Sequence, residues 1–203
     1  MKKYAVLHEP GDIVTLAGTR FVVLDVERRG SLPDSLFLLA LESVGASEFG
    51  SSNNYAESDL KKAVDKWLED MGKRGLDNAK LIPREIDLTT LDGSGCYGKL
   101  SVKAAPLTLD EARKYADIIP NAERWCWLAT GWSGPSKSDG DLALYVVSNG
   151  DWFSSLCSNS CGIRPALKVP SILFEDSEAG LDLSKIPTDD LLQEIHRRLA
   201  EKA

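Results

Sequence analysis

The stretch VVSNGDWFSSLCSNSCGIRPAL, residues 146–167, decides how the rest of the chain is read. A β-rich run ends at Asn149-Gly150, a pair that predicts a hairpin closed by a type I′ turn. Trp152, Phe153, Leu156 and Cys157 follow among Ser and Asn, too irregularly spaced for all of them to face one core. Two readings are open. They are core residues of a poorly patterned strand, or they are a surface displayed for contact. The pattern then recovers, and Gly162 to Val169 reads as the last strand. Arg164 stands among its apolar residues, so its guanidinium is expected to bury against carbonyls or a carboxylate and lock that strand.

Working outward, Ile13 to Leu16, Phe21 to Val26 and Leu36 to Leu41 read as a β-meander, the first two separated by Ala17-Gly18-Thr19. Leu60, Val64, Trp67, Leu68 and Met71 recur at i, i+4, i+7, i+8 and i+11, one stripe on a helix capped near Ser58 and ended by Gly72 and Gly75. Residues 76–106 lack strong periodicity and read as an ordered long loop. Thr108 and Glu111 have capping-box spacing and open a second helix that should run to about Asp117. The segment RWCWLAT, residues 124–130, reads as a strand, with Trp125 and Trp127 assigned to the core. A Gly/Ser/Pro loop over 131–141 leads to a strand over 142–148.

Strands, helix, loop, helix and antiparallel strands in this order predict an α+β fold with two helices and mostly antiparallel twisted sheets over residues 1–170. An acidic linker over 171–187 and an amphipathic helical tail over 188–203 should follow. In the tail, Thr188 is the cap, and Leu191, Leu192, Ile195 and Leu199 form an apolar stripe. A helix this short is marginal alone, so the stripe is expected to dock, on a partner chain or in self-association.

With 203 residues, 43% hydrophobic and 27% charged, the chain can bury a substantial core. A net charge of −7 argues against nucleic acid, which requires a basic surface. No apolar run follows Met1-Lys2-Lys3, so neither a signal peptide nor membrane insertion is expected; this predicts a cytoplasmic location, or a virion or cell surface reached by another route. Cys96, Cys126, Cys157 and Cys161 are then expected to be free thiols. His8 and His196 sit in unpromising places for catalysis, and "GSGCYG" lacks the strand and helix of a phosphate loop. Cys157 and Cys161 lack a partner pair at zinc spacing. No catalytic residue, metal ligand or cofactor is therefore assigned.

The ordered landmarks GDIVTLAGTRFVVLDV, SDLKKAVDKWLED, PLTLDEARKYA, RWCWLAT, YVVSNGD and GIRPAL, spanning about residues 10–169, form one pattern. The pattern resembles a bacterial and phage family whose members run from a Gly-Asp-x-Val strand to a "WWLRS"-like strand and a terminal "GVRPAL". That family looks like a branch of the C-type-lectin-like fold, related to the formylglycine-generating-enzyme type. The resemblance implies a non-enzymatic ligand-binding module, usually for protein, of the kind that serves as variable protein of diversity-generating retroelements. In those systems a reverse transcriptase rewrites codons between the Trp-rich strand and the closing Gly-x-Arg-Pro strand.

The ligand-contacting residues it implies are Thr130, Trp132, Ser133, Tyr145, Asp151, Trp152, Phe153, Ser154, Ser155, Leu156, Cys157, Ser158, Ser160 and Cys161, with Trp132 and Tyr145 brought to the same face. Their partner would be an unidentified protein or surface ligand. The lectin motifs "EPN" and "WND" are absent, which argues against calcium-dependent sugar binding. The alternatives are an oxidase using Cys157 and Cys161, though the copper-binding pair of those enzymes lies well upstream of their closing strand, and a structural phage or envelope domain.

Overall fold

Phe21, Val22, Val23 and Leu24 are all buried, so this strand is covered on both faces. Side chains of a strand alternate between faces. Phe21 and Val23 accordingly join one apolar cluster, and Val22 and Leu24 join a second. This two-sided burial organises the molecule. The computed structural model describes residues 8–29 and 32–174, together with Thr188, Asp189 and Leu192. Of the expected linker, Ser171–Phe174 form a 3-10 turn whose Phe174 is buried in the first cluster, while residues 175–187 and, apart from Leu192, the tail stripe lie outside the described residues.

The first sheet has the order β1 (Ile13–Leu16), β2 (Thr19–Arg29), β3 (Leu32–Ala40), β12 (Ala166–Pro170), β7 (Ala104–Ala105). The second runs β10 (Trp152–Leu156), β9 (Leu142–Val146), β8 (Cys126–Gly131), β11 (Ser160–Gly162), β4 (Ala46–Glu48). A small hairpin joins β5 (Arg84–Asp87) to β6 (Lys99–Val102). Pairings are antiparallel except that of β11 with β8. With the helices α1 (Asp59–Lys73) and α2 (Leu109–Lys114), the fold over the described residues is α+β, with mostly antiparallel sheets.

Helix α1 starts where Ser58 Oγ accepts the Lys61 N–H, and it buries Leu60, Val64 and Met71 in the first cluster beside Phe21, Leu38 and Trp127. Each such fully buried side chain contributes about 1.5–3 kcal/mol. Helix α2 carries the expected capping box, Thr108 accepting from Glu111 N–H while Glu111 accepts from Thr108 N–H. It buries Leu109 against the second cluster, together with Tyr115, Leu128 and Leu144.

Four expectations are corrected. Residues 76–106 are not one loop, since β5, β6 and β7 lie within them. The strands are two to four residues long, too short to leave a period in the sequence. Helix α2 ends at Lys114, not near Asp117, because Tyr115 leaves helical geometry and the chain continues as turns. The last strand is two strands: β11 belongs to the second sheet and β12 to the first, and Ile163-Arg164-Pro165 crosses between them. Finally, Asn149-Gly150 is not a type I′ turn. Gly150 has φ +91°, but the only non-glycine residue described with positive φ is Ala17. Val147 accepts from Gly150 N–H and donates its own N–H to Asp151, which gives a three-residue loop with glycine in its left-handed position. A two-residue turn with both positions at positive φ does occur, at Ala17-Gly18 between β1 and β2.

Candidate ligand-binding surface

Among the described residues, strand β10 lies at the outer edge of the second sheet and pairs only with β9. Its sequence, WFSSL, holds no charge and no proline. Exposed edge strands normally carry such residues to prevent edge-to-edge pairing. Register puts Trp152 opposite Val146, Phe153 opposite Tyr145, and Leu156 opposite Leu142. Directly opposed residues share a face. Phe153 therefore points to the side of Tyr145 and Trp127, whereas Trp152, Ser154 and Leu156 point to the other.

On the first side an aromatic series runs from core to solvent. Trp127 is buried, meets Phe49 edge-on at 5.5 Å, and donates its indole N–H to the Ser47 carbonyl at 2.9 Å. Tyr145 stands edge-on to it at 6.1 Å. Trp125 stacks on Tyr145 at 5.2 Å, and Phe153 lies 6.3 Å from Tyr145. Trp125 and Phe153 are 54% and 52% exposed, so two large rings present half their surface to water from a rigid base. On the other side Trp152 is 38% exposed, with the Arg113 guanidinium 5.2 Å above its ring. Leu156 is also exposed.

The fourteen residues implied by the resemblance divide cleanly. Trp152, Phe153 and Leu156 are exposed, as are Asp151, Ser158 and Ser160, while Ser154 and Ser155 are half-buried. Trp132 is half-buried, and the other five are buried. Thr130 is buried and accepts the Leu109 N–H, fixing α2 to β8. Ser133 is buried, and its carbonyl accepts from Asn53. Tyr145 is buried as the middle of the aromatic series. Cys157 and Cys161 lie in the first cluster, and the Cys157 carbonyl accepts the N–H groups of Phe49 and Gly50. Trp132 packs on the second cluster and Tyr145 in the first, so these two do not share a face.

Trp125 is the residue that the sequence assigned to the core and the structure exposes. Both tryptophans contact Tyr145, so both lie on one side of the sheet, as alternation requires. Only Trp127 is covered by Phe49. What separates them is tertiary cover, to which periodicity is blind.

The thiols Cys96, Cys126, Cys157 and Cys161 are free. Burial, and then the Asp141 carboxylate, push Cys157 up to about 12, and burial pushes Cys161 up to about 11. Both are protonated at neutral pH, whereas copper binding or redox chemistry requires an accessible thiolate. Among the described residues, no group of three or more His, Cys, Asp or Glu is placed to hold a metal ion, and no helix is long and apolar enough to cross a membrane.

Arg164 is buried as its setting predicts. Its Nε donates to the Ala40 carbonyl at 2.9 Å and Nη1 to that of Pro120 at 3.2 Å, which fixes the crossing between the two sheets. Gly162, just before, has no room for a side chain: a Cβ there would stand 2.8 Å from Ser43 Oγ and 2.9 Å from Cys126 Sγ. Comparisons of the chain with family models, with curated proteins and with solved structures returned no match.

Proposed function

We propose that the chain is a non-enzymatic, protein-binding module of C-type-lectin-like fold, with β10 and the neighbouring Trp125 as its contact surface. One observation carries the reading: half-exposed rings of Trp125 and Phe153 flank Tyr145 beside β10, an edge strand that no described strand covers. Exposed aromatics on a rigid base are what a binding hot spot requires, because they bring large contact area at little entropic cost. Ser154, Ser155, Ser158 and Ser160 around them supply adaptable hydrogen bonds. An apolar edge left open would otherwise promote aggregation.

The lectin-like reading rests on the ordered motifs from GDIV to GIRPAL. The proposal that the chain is the variable protein of a diversity-generating retroelement rests on the same resemblance. It is supported by the exposure of Trp152, Phe153, Leu156, Ser158 and Ser160 within the segment where rewriting is implied. Trp125 lies outside that segment and would be a constant part of the surface.

The test compares immobilised wild-type chain with Trp125→Ser, with Trp152→Ser/Phe153→Ser, and with Lys80→Ala far from the patch. Each is exposed to surface proteins of the source organism and of its neighbours. The reading predicts a protein retained by the wild type and by Lys80→Ala but lost from both patch variants, whose circular dichroism stays unchanged. Equal retention by all four chains refutes it.

A further inference from the structure

A cavity of about 290 Å³ opens between the loop Asn149–Asp151, the turns that follow α2, and the meeting point of the two sheets. That volume is at the low end of small-molecule sites, roughly 300–1,000 Å³. Leu39, Leu107, Leu128 and Val146 give it apolar walls, and Arg164 lines it as well. Arg164 is 6% exposed. Two of its nitrogens donate to the Ala40 and Pro120 carbonyls, but the buried Nη2 has no acceptor among the described residues. No described carboxylate pairs with it. The ionisable group acting on it is Cys126, whose thiol burial pushes up to about 11 and so keeps neutral at pH 7. A buried guanidinium that meets only carbonyls and a thiol among the described residues keeps its charge with no counter-ion among them, which is costly in a poorly solvated site.

We propose that this cavity binds a monovalent carboxylate with an apolar body, a turn of the Arg164 side chain presenting the unpaired guanidinium to the carboxylate while the body lies on the leucine-rich wall. Arginine donors match carboxylate geometry, and a ligand charge there neutralises a charge the fold leaves unpaired. Asp151, at the rim with its carboxylate held by the Asn149 amide at 2.7 Å, disfavours multiply charged anions such as phosphate. The cavity borders the β10 surface, since Asp151 stands at its rim and Val146, opposite Trp152, lines it; its ligand is a small carboxylate and not a protein, so each role has its own test.

The experiment titrates the full chain with acetate, hexanoate, hexanamide, N-acetyl-leucine and inorganic phosphate, by calorimetry and by shift in melting temperature. Hexanoate is expected to bind more tightly than acetate, hexanamide at least about tenfold more weakly than hexanoate, and phosphate not at all. Tighter binding of N-acetyl-leucine than hexanoate would assign the carboxylate to a peptide terminus, and the reverse order to a free acid; either supports the site. Ala112→Phe, which fills the cavity from α2 and leaves Arg164 in place, should abolish hexanoate binding without lowering the melting temperature. Arg164→Lys should weaken it while keeping the charge. The proposal is overturned if hexanoate gives no saturable signal, if hexanamide binds as well, or if folded Ala112→Phe binds unchanged.

Discussion

Replacing Phe153 with alanine separates a contact surface from a core. A fully buried phenylalanine contributes about 1.5–3 kcal/mol through transfer from water. Phe153 is 52% exposed, so roughly half of that is at stake. The ring pair with Tyr145 at 6.3 Å adds about 0.5–1 kcal/mol. No cavity term follows, because the vacated space opens to water. The expected cost is about 1–2.5 kcal/mol in total. Trp127, 1% exposed and enclosed by Phe49 and Tyr145, should cost about 3–5 kcal/mol on truncation. Urea unfolding of wild type, Phe153→Ala and Trp127→Ala, compared through midpoints at equal slope, measures both. A loss of about 3 kcal/mol or more from Phe153→Ala would place that ring in the core and refute the surface reading.

Thr108→Ala removes the cap of α2 and should cost about 1 kcal/mol by the same unfolding assay, and serine at this position should restore most of it. Native chain should expose one thiol to a disulfide reagent, Cys96, and all four in denaturant; rapid native labelling of Cys157 or Cys161 would contradict their burial. Burial raises Cys126, Cys157 and Cys161 from about 9 to about 11, about 12 and about 11. Because the native state keeps these protons longer than the unfolded chain does, their contribution is complete below about pH 9 and falls as pH rises toward 11. Unfolding midpoints should therefore decline across that window, and less steeply in Cys157→Ala corrected for its loss at pH 7.

The sequence was legible where a local rule decides the outcome. The α1 stripe, the Thr108–Glu111 box and the three-stranded meander need only periodicity and capping, and each is present. Arg164 was legible because a guanidinium among apolar neighbours has few places to go. What escaped depends on other parts of the chain. The β5–β6 hairpin is too short to show a period. The split of 162–169 into two strands follows from long-range pairing, Gly162 with Cys126 and Ala166–Pro170 with β3, which no local pattern reports. At the candidate site, Trp152, Phe153 and Leu156 stood out by failing every folding pattern, and they are exposed. Cys157 shared that irregular spacing yet is buried, because a small side chain fits gaps that periodicity does not report.

Sequencing the DNA on both sides of the gene tests the central claim, that the exposed segment is a rewritten binding surface, most directly. The account predicts a reverse-transcriptase gene and an imperfect repeat of codons 130–167 whose differences fall only at adenines. Those differences should cluster on the codons of Trp152, Phe153, Leu156, Ser158 and Ser160 and spare Gly162 and Arg164. Absence of both the gene and the repeat, or differences scattered over the buried positions Leu144, Cys157 and Cys161, would contradict it.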